Sequence, residues 1–321
     1  MTADAARNYT PPSCKGEPFF IVGCPRSGTT LLQRMLDAHP SVAVAPETFF
    51  IRRFWRRRAT YGDIQHDTAF EQLLHDIMAM PEFDEMGLDA EAFAAAAQYV
   101  ERSYAALFRL VLQQFAEQRG APRAGEKTPN HVLYLPTLHD FFPEARFIHL
   151  VRDPRAVVNS WQSVPWSSGR AWRDAEIWVE YVAAGRAAQP LIGDALLAVH
   201  FEDLVRNPND QLRRVCDHLA IDFDPAMLAF HERTPNAVNI AREPWKENVT
   251  QPVDPATADR WRTRLGARAK VEAEAVAAEE MRHWGYAPEV PAWQRSVAQA
   301  TLPVRRLGWK LELWIDQRGR T

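Results

Sequence analysis

The residues of this chain best suited to chemistry stand in one short segment, Pro25-Arg26-Ser27-Gly28-Thr29-Thr30. The segment combines a cation, hydroxyl groups and a glycine, and it follows an apolar run that begins at Phe19. The pattern predicts a buried strand over 19–22, a tight turn over 23–28 and a helix over 29–38. Backbone N–H groups and the positive end of a helix dipole would then converge on one point, which is an arrangement that binds anions.

The residue after Gly28 restricts the type of anion. The spacing from Gly23 to Gly28 is that of a nucleotide P-loop, but Thr29 stands where a nucleoside triphosphatase carries lysine. The cation comes earlier, as Arg26, whose guanidinium can bond a phosphate or sulfate through two donors. The segment therefore predicts a phosphate or sulfate site that differs from that of kinases. The alternative is a glycine-rich turn that binds no anion.

A second candidate anion site follows another apolar strand, predicted over 145–151. Arg152 stands at the end of this strand, and Asp153-Pro154 is expected to cap the next helix. Ser160 follows about two helical turns later. Arg152 and Ser160 are therefore candidates to bind a second phosphate. The alternative is a capped helix start with a surface ion pair.

The elements between these segments predict the fold class. Further strands are expected over 41–45 and 196–201, and helices over 204–219, interrupted near Pro208, and over 257–284. Alternation of strands and helices indicates an α/β fold, with a P-loop-like central parallel sheet flanked by helices. Ligands bind at the carboxyl ends of the strands in such sheets. Both candidate anion sites follow such ends.

The domain organisation follows from the same pattern. We predict an N-terminal extension over 1–18, one domain over 19–288 and a C-terminal tail over 289–321. A helical insertion over about 67–119 is a candidate lid or substrate wall. The tail is amphipathic around 307–315, and we expect it to dock on the body or on a partner chain, as in a homodimer, ahead of weak contact with a membrane surface.

Composition and charge limit the partners, the metal or disulfide sites and the cellular location that we expect. The 321-residue chain has 46% hydrophobic and 25% charged residues, which is ordinary for a soluble protein, and its formal net charge of −3 predicts no nucleic-acid partner. Cys14, Cys24 and Cys216 are widely spaced, which indicates neither a disulfide framework nor a zinc site. No leader segment and no run of about twenty apolar residues is visible, so we expect a cytoplasmic protein without a transmembrane segment.

Taken together, these motifs resemble the PAPS-dependent sulfotransferase family, closest in pattern to its tyrosylprotein sulfotransferase type. The resemblance covers Phe19 to Pro288. After the first motif it continues, in the same order, through Met35-Leu36-Asp37-Ala38-His39-Pro40, Glu47-Thr48, Lys127, Val151-Arg152-Asp153, Ser160, Glu202, Trp261 and Gly285-Tyr286. It implies 3′-phosphoadenylyl sulfate (PAPS) as sulfuryl donor, 3′,5′-ADP as product and no metal. A donor with a 5′-phosphosulfate and a 3′-phosphate explains why the chain has two anion motifs and no P-loop lysine.

The resemblance also implies a role for each matching residue. The 5′-phosphosulfate would be held by Arg26, Ser27, Gly28, Thr29 and Thr30, and the 3′-phosphate by Arg152 and Ser160. Phe201 stands where a tyrosine contacts the cofactor, and Arg260, with the segment 245–254, resembles the basic residue and loop that close over the nucleotide. Glu47 would be the general base, while Arg26 and Lys127 would stabilise charge on the sulfuryl group in an in-line transfer. His131 is a rival base, and an equally well supported structural histidine.

Departures from the family pattern bear on the acceptor. Phe49 stands where the protein-tyrosine enzymes have an arginine used with acidic peptides, and Val164 replaces an arginine beside the 3′-phosphate motif. We therefore expect the acceptor to be the hydroxyl of a small molecule, lipid or glycan, in preference to protein tyrosine. The basic stretch Arg52–Arg58 either receives an anionic substrate or is a solvated helix face with Phe54 and Trp55 packed inside.

Two other functions remain open from the sequence. The first is an ATP-dependent kinase, which Thr29 and the lack of a clear strand-end aspartate for magnesium oppose. The second is a non-catalytic nucleotide-binding protein, which would bind the nucleotide but lose nothing when Glu47 is changed to Gln.

Overall fold

The computed structural model describes residues 16–233 and 250–318. It contains a five-stranded sheet in the order β2-β3-β1-β4-β5, in which every neighbouring pair is parallel. The strands are β1 (Phe19–Gly23), β2 (Val42–Ala45), β3 (Arg123–Lys127), β4 (Arg146–Val151) and β5 (Leu196–His200). The predicted α/β class with a parallel sheet is confirmed, and the carboxyl ends of all five strands lie along one edge.

Helices connect the strands and follow them. Within the described residues they are α1 (Thr29–Asp37), α2 (Phe50–Arg53), α3 (Arg58–Tyr61), α4 (Asp67–Met78), α5 (Pro81–Glu85), α6 (Ala90–Ala97), α7 (Tyr104–Glu117), α8 (Leu135–Phe141), α9 (Pro154–Trp161), α10 (Ala171–Ile192), α11 (Phe201–Arg206), α12 (Pro208–Leu219), α13 (Trp261–Arg264), α14 (Ala267–His283) and α15 (Ala292–Arg318). The helices α4 to α7 occupy the segment predicted as a helical insertion.

The first strand is buried on both faces, as its continuous apolar run predicts. On one face, Phe19 and Ile21 belong to a core cluster with residues of α1 and α12. On the other face, the ring of Phe20 packs against those of Phe142 and Phe147, with centroid separations of 5.4 and 5.6 Å. Side chains therefore alternate between two cores and hold the end of β1 in place.

The strand β3 is not predicted by the sequence pattern. Its residues, Arg-Ala-Gly-Glu-Lys, contain no apolar run, yet the strand lies between β2 and β1 in the sheet. Glu126 is fully buried and Lys127 is 1% exposed. Buried charges of this kind require partners, because removal from water is costly. The partners described below explain why a polar sequence occupies a central strand.

The helix predicted over 257–284 is wrong in its first part. A short 3-10 turn over Pro255–Ala258 and the single-turn helix α13 precede α14, which begins at Ala267. Gly266 breaks the run because its backbone is extended, with φ −61° and ψ 151°. By contrast, the predicted interruption near Pro208 is confirmed, since α11 ends at Arg206 and α12 begins at Pro208.

The described residues divide into two compact units. The first holds 16–151, 184–233 and 250–255, and it includes the sheet. The second holds 152–183 and 256–318. The core of the second unit contains Trp261 and Leu265 packed with residues of α9 and α14. The domain boundaries predicted from the sequence, at 18/19 and 288/289, stay predictions.

Candidate active site

The turn after β1 has the tight geometry that its glycines predict. It closes through a hydrogen bond from the N–H of Ser27 to the carbonyl of Cys24, at 3.1 Å. Gly28 has a φ of +95°, and a Cβ atom there would lie 2.3 Å from the ring of Phe201, the residue that follows β5. Arg26 also has a positive φ, 73°, which is uncommon for a residue with a side chain. Strained backbone of this kind is concentrated at binding and catalytic sites.

The hydroxyl groups of the turn fit the predicted anion. Ser27 is fully buried, and its Oγ has no hydrogen-bond partner within the described residues. Thr29 is 3% exposed and begins α1, and Thr30 follows it half-buried. The helix has no acidic residue in its first turn and no side-chain cap on its first N–H groups. A buried hydroxyl and a run of uncapped N–H groups are what a phosphosulfate would satisfy.

Glu47 and Lys127 form an ion pair at the same edge of the sheet. Lys127 ends β3, Glu47 lies two residues beyond β2, and their Nζ and Oε1 atoms are 2.5 Å apart. The lysine side chain is 2% exposed, whereas that of Glu47 is 24% exposed. The structure therefore brings the predicted base and one predicted electrophilic residue into direct contact, with the carboxylate on the accessible side.

A buried carboxylate supports this pair from behind. Glu126 Oε1 accepts hydrogen bonds from the N–H of Thr48 (3.3 Å), from its hydroxyl (2.9 Å) and from the hydroxyl of Thr128. Thr48 and Thr128 directly follow Glu47 and Lys127 in the chain. Glu126 thus joins the two backbone segments that carry the ion pair. It was not among the predicted site residues, although its place beside Lys127 in a Gly-Glu-Lys-Thr sequence is a signal that could have indicated it.

His131 contacts the same buried carboxylate. Its Nδ1 lies 3.1 Å from Glu126 Oε2, and its ring is fully buried. Its Nε2 has no hydrogen-bond partner within the described residues. A general base must reach the proton that it removes. The position of His131 therefore favours the structural interpretation over that of a rival base.

The predicted 3′-phosphate residues belong to the second unit. The guanidinium of Arg152 donates to the carbonyl of Thr257 at 3.1 Å, and the Arg152 carbonyl accepts from Trp178 Nε1 at 2.9 Å. Ser160 lies half-buried in α9, whose N-cap is the predicted Asp153. Arg260 is half-buried immediately before α13. The predicted loop over 245–254 lies outside the described residues up to 249.

The basic stretch Arg52–Arg58 is largely a solvated surface. Phe54 is 3% exposed, and the ring of Trp55 packs edge-on against those of Tyr104 and Phe141. Arg53 forms a two-bonded ion pair with Glu82. The remaining arginines of the stretch are exposed. This packing favours the solvated-face interpretation, with aromatic residues turned inward.

Phe49 departs from ordinary backbone geometry as well as from the family pattern. Its φ is +51°, and the guanidinium groups of Arg52 and Arg53 lie 5.6 and 5.5 Å from the centre of its ring. Cations at this distance interact favourably with an aromatic face. The half-buried ring, two residues after Glu47, therefore contacts two arginines of its own segment.

No group of three or more His, Cys, Asp and Glu side chains is arranged to hold a metal ion among the described residues. No helix in residues 16–233 and 250–318 is long and apolar enough to cross a membrane.

The family model described as "Sulfotransferase family" matches residues 18–225. The protein-tyrosine sulfotransferase of Drosophila melanogaster is 27% identical over 252 residues, which are 75% of this chain and 46% of that protein. Protein-tyrosine sulfotransferase 1 of Danio rerio is 28% identical over 247 residues, or 75% of this chain and 63% of its own length. The chain thus spans less than two thirds of either relative.

A solved structure agrees with these sequence matches. The sulfotransferase domain from the Synechococcus PCC 7002 olefin synthase has 26% sequence identity and a TM-score of 0.59. The alignment covers 86% of this chain and 98% of that domain. Similarity therefore extends over nearly the whole of a solved domain.

Proposed function

We propose that this chain, which belongs to the sulfotransferase family, moves a sulfuryl group from PAPS to an acceptor hydroxyl. Glu47 acts as the general base. The family and the enzyme class predicted from the sequence are confirmed by that membership. PAPS is the sulfuryl donor of that enzyme class. The observation that carries the proposed mechanism is the Glu47–Lys127 ion pair beside an anion-binding turn.

Each side chain has a task that its position permits. PAPS supplies the sulfuryl group, and 3′,5′-ADP is the leaving group. The turn N–H groups, Arg26 and the buried Ser27 hydroxyl bind and orient the phosphosulfate. Glu47 accepts the acceptor proton through its accessible carboxylate, which lies in contact with Lys127. Lys127 and Arg26 are positive charges held where negative charge develops during transfer.

For the acceptor, we propose a hydroxyl of a small molecule, lipid or glycan. Phe49 supports this assignment because an aromatic ring stands where an arginine serves acidic peptides in the protein-tyrosine type. The names of the two relatives favour protein tyrosine instead, so both classes belong in an acceptor screen. A cytoplasmic location stays a proposal on the sequence alone.

The donor site is tested by thermal stabilisation of the purified protein. We expect 3′,5′-ADP to raise the melting temperature without magnesium, and ATP, ADP and AMP to do so far less, because only 3′,5′-ADP carries both phosphates. A rise in melting temperature that occurs only with ATP and magnesium together would contradict the proposal and favour a kinase.

The roles are tested by three variants assayed with PAPS and an acceptor found by screening. Glu47→Gln and Lys127→Ala are expected to lower kcat by roughly 100-fold or more with little change in 3′,5′-ADP affinity, since they act on the transfer step. Arg152→Ala is expected to weaken 3′,5′-ADP binding. Equal losses of affinity in all three variants would refute this division of roles, and full activity of Glu47→Gln would exclude Glu47 as the base.

A further inference from the structure

The helix α15 has one face that is held by its own unit. Ala298 and Leu302 are each 8% exposed, and Gln299 donates a hydrogen bond to the carbonyl of Ala275 in α14 at 2.8 Å. Arg305 forms an ion pair with Glu272 of α14. These contacts lie on one side of the helix and hold it against α14.

A different face of the same helix carries an exposed apolar stripe. Its residues are separated alternately by four and three positions, and they are Trp293, Val297, Ala300, Val304, Leu307, Leu311 and Trp314. Exposure is 67% for Trp293, 74% for Val304 and 70% for Leu307. Alternating spacings of four and three place residues at the a and d positions of a heptad repeat, which is the seam of a two-helix coiled coil.

The size of the stripe is that of a protein interface. The stripe is about 32 Å long at the rise of an α-helix. Its side chains expose on the order of 700 Å² of apolar surface, which exceeds the usual largest patch of a monomer and approaches the roughly 800 Å² that each partner of a standard interface buries. The stripe is therefore large enough to bind a macromolecule.

The charges beside the stripe favour a protein partner over a lipid surface. A helix that lies on an anionic membrane needs Lys or Arg side chains directed to the headgroups. Arg306 instead pairs with Glu176 at 2.6 Å, and Arg305 pairs with Glu272. Much of the helix's positive charge is thus neutralised within its own unit.

The residues that flank the stripe permit an identical helix to pack against it. At the flanking e and g positions, Gln294, Ser296 and Thr301 are uncharged, and Lys310 is the one charged residue over 293–311. Two copies would therefore meet with little like-charge repulsion. Pro303 also lies on this flank and outside the apolar seam.

We propose that a second copy of this chain covers the stripe, so that two α15 helices pair as a short coiled coil in a symmetric homodimer. A two-fold axis lets the same self-complementary stripe serve both copies. The proposal is independent of the sulfuryl-transfer mechanism, because the stripe contains none of the predicted site residues.

Sedimentation of the full chain from about 1 to 100 µM tests the proposal. We expect the wild type to be a dimer, and Val304→Glu with Leu307→Glu to raise the dimer dissociation constant at least about 100-fold, since charges would enter the seam. The matched control, Ala267→Glu with Ala292→Glu, adds the same charge at exposed positions outside the stripe and should leave the dimer unchanged. Circular dichroism and the melting temperature check folding, and Leu307→Gln alone provides a milder variant.

Three results would overturn the proposal. The first is a wild-type monomer at 100 µM. The second is a dimer that the stripe variants leave intact. The third is binding of the wild type to phosphatidylcholine–phosphatidylserine vesicles that the stripe variants lose, which would assign the stripe to a lipid surface. Retained 3′,5′-ADP binding in the stripe variants would separate any of these outcomes from a failure of the proposed enzyme function.

Discussion

At the residue scale, the site depends on charged groups that are buried with their partners. Lys127 is almost fully buried and is paired with Glu47. Glu126 is fully buried and accepts hydrogen bonds from Thr48, Thr128 and His131. Removing one member of such a set leaves another buried polar group unsatisfied, which costs about 1–3 kcal/mol or more. The same contacts determine where the Glu47 carboxylate can lie.

We predict that Glu126→Gln lowers kcat by 10- to 100-fold while the KM for PAPS changes little. The amide replaces one acceptor oxygen by a donor and loosens the segments that carry Glu47 and Lys127, whereas the phosphosulfate turn follows β1. Steady-state kinetics separate these two effects.

The control for Glu126→Gln is Leu219→Ala, a cavity-forming change in α12 expected to destabilise the fold by about 2–5 kcal/mol. At a temperature where both variants are folded, the control should retain wild-type kcat. A similar loss of kcat in both variants would mean that Glu126 acts through stability alone.

At the element scale, the parallel sheet brings together loops that are far apart in sequence. The loops after β1, β2 and β3 carry Arg26, Glu47 and Lys127 to one edge, and the residue after β5 packs its ring on Gly28. Helices and strands also pack closely elsewhere in the unit that includes the sheet. A Cβ atom at Gly185 of α10 would lie 2.2 Å from the ring of His149 in β4.

We therefore predict that Gly185→Ala destabilises the protein, although alanine ordinarily favours a helix by about 1 kcal/mol over glycine. The added methyl group would collide with the imidazole, and overpacking of this kind costs about 1–3 kcal/mol. Urea denaturation measures the change in the free energy of unfolding. Gly62 is not a suitable control because its φ is +76°, although a Cβ atom there would meet nothing within 4 Å. A suitable control is Glu71→Ala on the exposed surface of α4. A stabilised Gly185→Ala would show that β4 and α10 adjust more easily than this packing implies.

At the scale of the whole molecule, buried histidines contribute to the response of stability to acid. Burial lowers the pKa of His149 to about 3, with a smaller contribution from the nearby His200. Burial also lowers the pKa values of His200 and His218. The unfolded chain binds protons below about pH 6.5 that these folded-state histidines do not bind. Stability is therefore present above that pH and decreases as the pH falls.

We predict that the free energy of unfolding decreases between pH 7 and 5.5, with a slope that approaches about 1.4 kcal/mol per pH unit for His149 alone. In His149→Gln, unfolding should take up as much as one proton fewer. The slope should therefore be smaller by up to about 1.4 kcal/mol per pH unit, whatever the change in overall stability. Urea titrations at several pH values measure both slopes. Equal slopes in the two proteins would show that His149 is not the group responsible.

Features that depend on local chemistry could be predicted from the amino-acid pattern. The apolar run at Phe19, the glycines around Arg26 and the Asp153-Pro154 cap each specify their own backbone, so the first strand, the turn and the start of α9 were predicted close to their observed bounds. These motifs, together with others in the same order up to Pro288, were sufficient to indicate the family. Residues such as Glu47 and Lys127 were assigned through resemblance, and their roles stay predictions.

Only the tertiary structure showed which distant groups meet. The polar strand β3 is buried because sheet neighbours and partner side chains satisfy its charges, and no local pattern encodes partners about 80 residues away, as for Glu47 and Lys127. Glu126 and His131 could be placed only once that strand was in the sheet. The apolar stripe of α15 was likewise visible as a pattern, but which helix face packs on α14 depends on contacts such as Arg305 with Glu272. Long-range pairing of buried charges therefore decides the site, because its free energy depends on groups that the local sequence does not contain.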